Sequence, residues 1–254
     1  MFKDKKILVL GVANELSIAW GIAEELHRQG AEIALAYAHE AIERRIKPLA
    51  ERIGSPLVLR CDVQADSDLD ALFSTLKQSW GRLDGVVHSI AYAERADLQG
   101  SFSNTSRSGF HLAMDVSVYS LIAVARRAKE LMSEGGALIT LTYLGSERVV
   151  PNYNVMGVAK AALECSVRYL AADLGEQDVR VNAISAGPIK TLAASAIPQF
   201  KGMLSRFAEI APLKRNVTQA DVAQTALYLL GPLSSGVTGE VLYVDCGFSR
   251  MGIG

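Results

Sequence analysis

The sequence predicts an α/β fold: one doubly wound parallel sheet of about seven strands, flanked by helices. Short apolar runs rich in Val, Ile and Leu alternate with longer amphipathic runs along the 254 residues. Within the apolar runs, apolar and polar residues do not alternate, which is typical of strands that helices cover on both faces. The links between runs are short, and this pattern favours right-handed crossovers within one open sheet.

The predicted strands and helices follow one another in turn. Seven apolar runs are predicted as strands, at residues 6–11, 32–37, 56–63, 84–91, 136–142, 179–185 and 240–247. Six amphipathic runs are predicted as helices, at 17–30, 40–53, 68–80, within 106–133, 152–174 and 218–230. Because no linker, repeat or low-complexity tract interrupts the pattern, we predict a single domain over residues 1–254.

Two segments, at about 92–109 and 186–217, are irregular and rich in polar or turn-forming residues. Both follow the carboxyl end of a predicted strand, the edge at which open α/β sheets bind ligands. Residues 186–217 are therefore the predicted substrate-binding segment, with a plain connection between elements as the alternative.

Composition restricts the possible functions. The formal net charge is -1, so no electrostatic attraction to nucleic acid or to anionic membranes is expected. The three cysteines and four histidines are scattered, which predicts reduced thiols and no metal site. No apolar run approaches the ~18 residues of a membrane span, and the N-terminus suits a first strand better than an export signal. A cytoplasmic protein without membrane insertion is expected.

The turn after the first strand is a candidate phosphate site. Gly11 and Gly21 bracket this turn in GVANELSIAWG, which leads into the first helix. Amides at a helix N-terminus lack partners and carry partial positive charge, so a pyrophosphate fits there. Ser17 could cap the helix or donate to phosphate, and Ile18 keeps the approach close. A plain helix cap explains the turn equally well, because its spacing is not G-x-G-x-x-G.

Two further strand ends support a Rossmann-type dinucleotide site. CDV (61–63) ends the third strand, where Asp62 could accept a hydrogen bond from an adenine amino group. HSIA (88–91) ends the fourth strand, where the small residues Ser89 and Ala91 let a ligand approach the backbone. Three such strand ends in the right order predict a dinucleotide site.

The segment after the second strand bears on the choice between NADH and NADPH. No aspartate ends this strand to take a ribose 2′-hydroxyl, and Glu40 is slightly late. Arg44 and Arg45 could meet a 2′-phosphate, although such arginines more often form a solvated helix face. We expect NADH as the cofactor rather than NADPH.

Together these motifs resemble the short-chain dehydrogenase/reductase superfamily and, within it, the bacterial NADH-dependent enoyl-acyl-carrier-protein reductases. The resemblance runs from Lys6 to Gly247. It rests on GVANELSIAWGIA, CDV, HSIA, DVSVYSL at 115–121, Tyr143 with YNVMGVAK, and RVNAISAGPIKTLAAS at 180–195. The Tyr-x6-Lys spacing and AGPIKTLAAS are specific to this branch, whereas the glycine turn is not.

The resemblance implies an active site and an assembly. Tyr153 and Lys160 would form the catalytic pair, with Tyr143 as a second active-site tyrosine. The family also implies a homotetramer and a mobile substrate-binding segment around 190–205. Implied cofactor contacts come from Gly11, Ser17, Ile18, Asp62, Val63, Ala91, Lys160, Ile189 and Thr191. Ala91 departs from many relatives, which have glycine there, and it narrows the space near the nicotinamide.

The spacing of Tyr153 and Lys160 favours separate roles. Seven residues on one helix would separate them by roughly 10 Å along the axis, against about 6 Å for a four-residue spacing. A more distant lysine favours a tyrosine that donates a hydrogen bond over one that loses its proton. During enoyl reduction, negative charge develops on the thioester oxygen, and a neutral phenol stabilises it. We therefore assign Tyr153 to this oxygen, Lys160 to the nicotinamide ribose, and Tyr143 to the acyl pocket or the same oxygen.

An apolar pocket should hold the acyl group, which we expect to be linked to acyl carrier protein. On the predicted helix, Met156 lies one turn beyond Tyr153 and could line the pocket, although a core methionine is equally consistent. The segment 186–217 supplies Ala193, Ile197 and Met203 as further candidates.

Two alternatives stay open. A carbonyl-reducing member of the superfamily would carry a serine about thirteen residues before the tyrosine of a Tyr-x-x-x-Lys pair. Here Thr140 stands at that position, and Gly157 stands four residues after Tyr153. The second alternative is a non-catalytic dinucleotide-sensing protein on the same fold, which has no need of both Tyr153 and Lys160.

Overall fold

The computed structural model describes residues 1–191 and 200–252 and contains one seven-stranded parallel sheet. Its strand order is β3-β2-β1-β4-β5-β6-β7, and every neighbouring pair is parallel. The strands are β1 (Lys6–Leu10), β2 (Glu32–Tyr37), β3 (Leu57–Arg60), β4 (Gly85–His88), β5 (Gly136–Thr142), β6 (Val179–Ala186) and β7 (Val241–Val244). The predicted fold class is confirmed, although β3, β4 and β7 are shorter than predicted.

Helices cover both faces of the sheet. They are α1 (Ile18–Arg28), α2 (Glu40–Arg52), α3 (Asp66–Trp80), α4 (Arg107–Met114), α5 (Ser120–Ala128), α6 (Val155–Leu174), α7 (Phe200–Ile210) and α8 (Gln219–Leu230). A π-helical turn, Asp115–Tyr119, joins α4 to α5, so the two form one interrupted helix. Such turns are common at functional sites.

The core consists of two apolar layers, one on each face of the sheet. In β1, Ile7 and Val9 contact the layer that contains α1, α2 and α8, whereas Leu8 contacts the layer of α3, α5 and α6. Neighbouring side chains of a strand point to opposite faces. Because both faces are buried, every position of β1 after Lys6 is apolar, which explains the continuous apolar runs in the sequence.

Two helix predictions need correction. The segment 186–217 was predicted to be irregular, yet its described part contains α7, whose Phe207 is buried while residues 205 and 206 are exposed. The proline- and glycine-rich stretch before α7 masked its periodicity. The predicted helix 152–174 begins only at Val155, because Asn152 (φ 60°) and Asn154 (φ 37°) have backbone angles that a right-handed helix excludes.

The helical segment Arg107–Leu131 bears on the membrane expectation without overturning it. Among the described residues, this segment alone is long and apolar enough to cross a membrane, by length and composition. More than half of its apolar window, 56%, is buried inside the protein. It packs against α3 and α6, and the core helix of a soluble protein passes the same test.

Candidate active site

The predicted site residues lie together along the carboxyl edge of the sheet. Gly11 follows β1, Asp62 follows β3, Ser89 follows β4, Tyr143 follows β5 and Ile189 follows β6. The strand order reverses between β1 and β4. In open α/β sheets, ligands bind in the crevice at such a reversal.

Gly11 brings the ends of β1 and β4 into close contact. Its φ of +98° suits glycine, and a Cβ at this position would lie 1.9 Å from the Ser89 carbonyl oxygen. Any larger residue would fill the space between the two strand ends. This backbone cradle fits a pyrophosphate, because the group must approach the main chain closely.

Ser17 shapes the turn instead of capping α1 with its side chain. It is the N-cap residue, but in the described structure its hydroxyl makes no cap hydrogen bond. The Ser17 Oγ instead accepts hydrogen bonds from the amides of Ala13 (3.0 Å) and Asn14 (3.1 Å). The first amides of α1 thus receive no side-chain cap from Ser17. A phosphate site at this helix N-terminus requires such uncapped amides.

The other predicted cofactor residues line the same edge. The Asp62 carboxylate accepts a hydrogen bond from the Gln64 amide at 3.1 Å, and the Asp62 amide donates to Asp68 Oδ2. Asp62 therefore lies in a hydrogen-bonded turn just after β3, and it remains partly exposed. Of the rest, Val63 is buried and Ala91 is exposed, whereas four are partly buried: Ile18, Ser89, Ile189 and Thr191.

The two tyrosines are in direct contact. The ring centroids of Tyr143 and Tyr153 are 5.1 Å apart, with an interplanar angle of 73°, an edge-to-face arrangement. A Cβ on Gly145 would lie 2.5 Å from the Tyr153 ring, so this glycine makes room for it. Tyr153 lies in the turn before α6, so the predicted helical separation of Tyr153 and Lys160 is wrong. Even so, the Tyr153 carbonyl accepts a hydrogen bond from the Met156 amide at 2.9 Å, which ties the turn to the helix.

Burial keeps both phenols protonated. It raises the pKa of Tyr143, and it raises the pKa of Tyr153 further, with smaller contributions from Tyr143 and Glu164. A phenol in this environment is a hydrogen-bond donor at neutral pH.

Lys160 is buried on α6, with 6% of its surface exposed. Its Nζ donates a hydrogen bond to the Leu141 carbonyl oxygen at 2.7 Å. Burial lowers the pKa of Lys160 to about 8, against an opposing contribution from Glu164. The ammonium is thus held at the end of β5, close to where Tyr143 follows the strand.

The predicted acyl-pocket residues have three different outcomes. Met203, on α7, has its Sδ 3.9 Å from the Tyr143 hydroxyl, so the structure brings these two together. Met156 is buried in a small cluster with Leu98, Ala113 and Val155, against which Tyr153 packs. Its role in substrate binding stays a prediction. Ala193 and Ile197 lie outside the described residues.

A buried polar network beneath the site was not predicted. His88 Nδ1 lies 3.0 Å from Thr140 Oγ1, and its Nε2 lies 2.8 Å from Ser120 Oγ. Burial, and to a lesser extent Lys160, lowers the pKa of His88 to about 3, so its imidazole is neutral. In the π-helical turn, Ser117 exchanges hydrogen bonds with the backbone of Tyr92 at 3.0 and 3.1 Å. The signal available in the sequence was the set of polar residues within otherwise apolar elements.

The surroundings of Thr140 bear on the carbonyl-reducing alternative. Thr140 is fully buried, and its hydroxyl donates to the His88 carbonyl oxygen at 3.0 Å. Within residues 1–191 and 200–252, no group of three or more His, Cys, Asp or Glu side chains is placed to hold a metal ion. All three cysteines are free thiols.

Comparisons with known proteins agree on one family. The family profile described as enoyl-(acyl carrier protein) reductase matches residues 11–249. An enoyl-acyl-carrier-protein reductase (NADH) of Rickettsia felis is 51% identical over 252 residues, covering 99% of this chain and 97% of the relative. Its counterpart from Bacillus cereus is 53% identical over 254 residues, covering 99% of each chain.

Solved structures give the same result. The Bacillus cereus enoyl-acyl carrier protein reductase with NADP+ and indole naphthyridinone has a TM-score of 0.98 and 53% identity, covering 100% of both chains. The Anaplasma phagocytophilum reductase in complex with NAD has a TM-score of 0.96 and 48% identity, covering 99% of this chain and 96% of the other.

Proposed function

The chain belongs to the enoyl-acyl-carrier-protein reductase family, and on that premise we propose the roles of its active-site residues. It reduces the carbon–carbon double bond of trans-2-enoyl thioesters of acyl carrier protein with NADH, a step in fatty acid biosynthesis. In our proposal, Tyr153 donates a hydrogen bond to the thioester oxygen, and Lys160 binds the nicotinamide ribose. Tyr143 shapes the acyl pocket or assists at the same oxygen.

The residues at the carboxyl edge fit a dinucleotide. Gly11 and the uncapped first turn of α1 would hold the pyrophosphate, Asp62 the adenine, and Lys160 the ribose hydroxyls. When bound, NADH supplies the hydride that is added to C3 of the enoyl group. Ser89, Ala91, Ile189 and Thr191, at the ends of β4 and β6, would complete the wall.

One observation supports separate roles for Tyr153 at the thioester oxygen and Lys160 at the ribose. The Lys160 ammonium donates a hydrogen bond to the Leu141 carbonyl oxygen, whereas the Tyr153 ring packs on Tyr143. A lysine that is engaged with the strand does not deprotonate the phenol. A neutral Tyr153 can therefore donate to the oxygen on which charge develops, and such a donor stabilises a transition state most in a dry site.

The rival reactions are disfavoured by the same geometry. A carbonyl reductase needs an acid that delivers a proton to an alkoxide, assisted by a hydroxyl at position 140. Thr140 is committed to His88. A non-catalytic sensor could use Lys160 to bind the dinucleotide, but it would have no use for Tyr153, a buried phenol that burial keeps protonated beside Tyr143.

Purified protein should oxidise NADH rapidly with crotonyl thioesters and slowly, if at all, with β-ketoacyl thioesters of the same carrier. The measurement is the absorbance decay of NADH under equal substrate concentrations. Faster turnover of the ketoacyl thioester would favour the carbonyl-reducing alternative, and activity with neither would favour the sensor. Comparing crotonyl-coenzyme A with the acyl-carrier-protein thioester tests the carrier.

Lys160→Ala should weaken NADH binding. Loss of hydrogen bonds from a charged donor typically costs about 1.5–3 kcal/mol, or roughly a 10- to 150-fold rise in Kd. The Kd is measured by quenching of protein fluorescence on titration with NADH. Lys77→Ala, an exposed lysine on α3, is the matched control and should leave the Kd unchanged. An unchanged Kd in Lys160→Ala would remove this lysine from the cofactor site.

We further propose that the chain acts in the cytoplasm as a homotetramer. Support for the assembly comes from exposed apolar side chains on the neighbouring α5 and α6 and the turn before α5, namely Tyr119, Ile122, Val158 and Tyr169. Apolar surface of this kind is commonly buried between subunits. Sedimentation equilibrium that returned the monomer mass of 27.3 kDa would contradict the tetramer.

A further inference from the structure

Two buried polar contacts fasten α6 to the end of β5. Lys160 Nζ donates to the Leu141 carbonyl oxygen at 2.7 Å, and Thr142 Oγ1 donates to Glu164 Oε1 at 2.5 Å. Leu141 and Thr142 are the last residues of β5, directly before Tyr143. Lys160 and Glu164 are one helical turn apart on the same face of α6. The helix is therefore tied to the strand by one cation and one carboxyl group.

Both side chains are withdrawn from solvent, with 6% of each residue exposed. A single buried charge is costly, and its cost falls only when an opposite charge or several hydrogen bonds compensate it. Glu164 is the carboxyl group one helical turn from Lys160, and the hydrogen bonds of the two side chains end on successive residues of β5, Leu141 and Thr142. On a solvated helix, Glu before Lys is the favoured order, and here the order is reversed. This pair is therefore not a surface helix-stabilising pair.

We propose that Glu164 is the buried counter-ion of Lys160, a positioning residue that keeps the lysine charged at the cofactor site. Thr142 orients the Glu164 carboxylate, and the Leu141 carbonyl oxygen orients the ammonium. The consequence for the reaction rests on the proposed function, namely that Lys160 binds the nicotinamide ribose. The charge pairing itself does not depend on that role.

The remaining titratable groups around the pair stay uncharged near neutral pH. Lys160 acts on His88, which lies on β4. Glu164 acts on Tyr153, in the turn before α6, and on Tyr243, on β7. The pKa of His88 is lowered to about 3, and burial raises the pKa values of both tyrosines and of Tyr143. A transition near pH 8 in this region therefore belongs to Lys160.

A double-mutant cycle on the unliganded protein tests the pairing. Lys160→Met and Glu164→Gln should each lower the Tm, on the order of 10 °C, because each leaves one buried charge unpaired. The double variant should lose clearly less than the sum of the two. Asp173→Asn, an exposed carboxylate on the same helix, is the control and should not change the Tm. Additive losses would overturn the proposal. If Lys160→Met does not fold, a folded double variant supports the pairing, and an unfolded one contradicts it.

The pH dependence of NADH binding tests the consequence. In the wild type, NADH affinity should fall as the pH rises through about 8, where Lys160 loses its proton. In Glu164→Gln the same fall should occur about one pH unit lower, because the ammonium has lost its counter-ion. An unshifted profile together with an additive cycle would refute the counter-ion. A third result is possible: the double-mutant cycle shows coupling, but Lys160→Met binds NADH as tightly as the wild type. That result would refute only the role of Lys160 in binding the cofactor.

Discussion

Tyr153→Phe is expected to lower kcat/KM for the enoyl thioester by about 100- to 1,000-fold, the usual cost of removing one oxyanion donor. The ring, its contact with Tyr143 and its packing on Gly145 are all retained by phenylalanine. Only the hydroxyl is lost, so the Kd of NADH should change by less than about twofold, because no ground-state cofactor contact is removed. Steady-state kinetics and fluorescence titration measure the two quantities.

Tyr143→Phe is the matched control for this experiment. Its hydroxyl lies 3.9 Å from Met203 Sδ, at the predicted acyl pocket, so its loss should cost less than about tenfold and act mainly through KM. If Tyr143→Phe lost more kcat than Tyr153→Phe, the two tyrosines would have to exchange roles. Equal loss of NADH affinity in Tyr153→Phe and Lys160→Ala would contradict the separation of oxyanion and cofactor functions.

The pH dependence of kcat/KM also distinguishes the role of Tyr153 from that of Lys160. Burial raises the pKa of Tyr153, so the protonated, donating form persists throughout the neutral and mildly alkaline range. The alkaline loss of kcat/KM should therefore follow the pKa of Lys160, near 8, and should survive in the residual activity of Tyr153→Phe. Disappearance of this alkaline limb in Tyr153→Phe would assign it to the phenol.

The fold could be predicted because the sheet imposes a strong constraint on the sequence. A strand covered on both faces is apolar at most of its positions, as Ile7, Leu8 and Val9 are in β1, and this signal does not depend on distant contacts. The carboxyl edge could be predicted for the same reason. Once the strands are ordered, the residues that follow them, such as Gly11, Ser89 and Tyr143, must meet at one edge.

The geometry of the site was less accessible from the sequence. The start of α6 depends on the backbone angles of Asn152 and Asn154, and asparagine adopts both helical and left-handed conformations. The hydrogen bond from Thr142 to Glu164 joins residues far apart in sequence, and only tertiary packing determines it. The sequence nevertheless contained an indication of Glu164, because an acidic residue within an apolar helix that also contains a lysine needs a partner.

Gly11→Ala should lower the free energy of unfolding by about 2–5 kcal/mol and abolish measurable NADH binding. Alanine at positive φ costs roughly 1–2 kcal/mol, and overpacking typically adds about 1–3 kcal/mol. At 1.9 Å from the Ser89 carbonyl oxygen, the new methyl group must separate the ends of β1 and β4, between which we propose that the pyrophosphate binds. Gly81→Ala separates the two costs, because Gly81 also has a positive φ, +70°, but no atom within 4 Å of the added Cβ. Denaturant unfolding and NADH titration of both variants should show the larger stability loss, and the loss of binding, only for Gly11→Ala. If the two variants lose equal stability and both bind NADH, the close approach of Gly11 to Ser89 is not what the cofactor site requires.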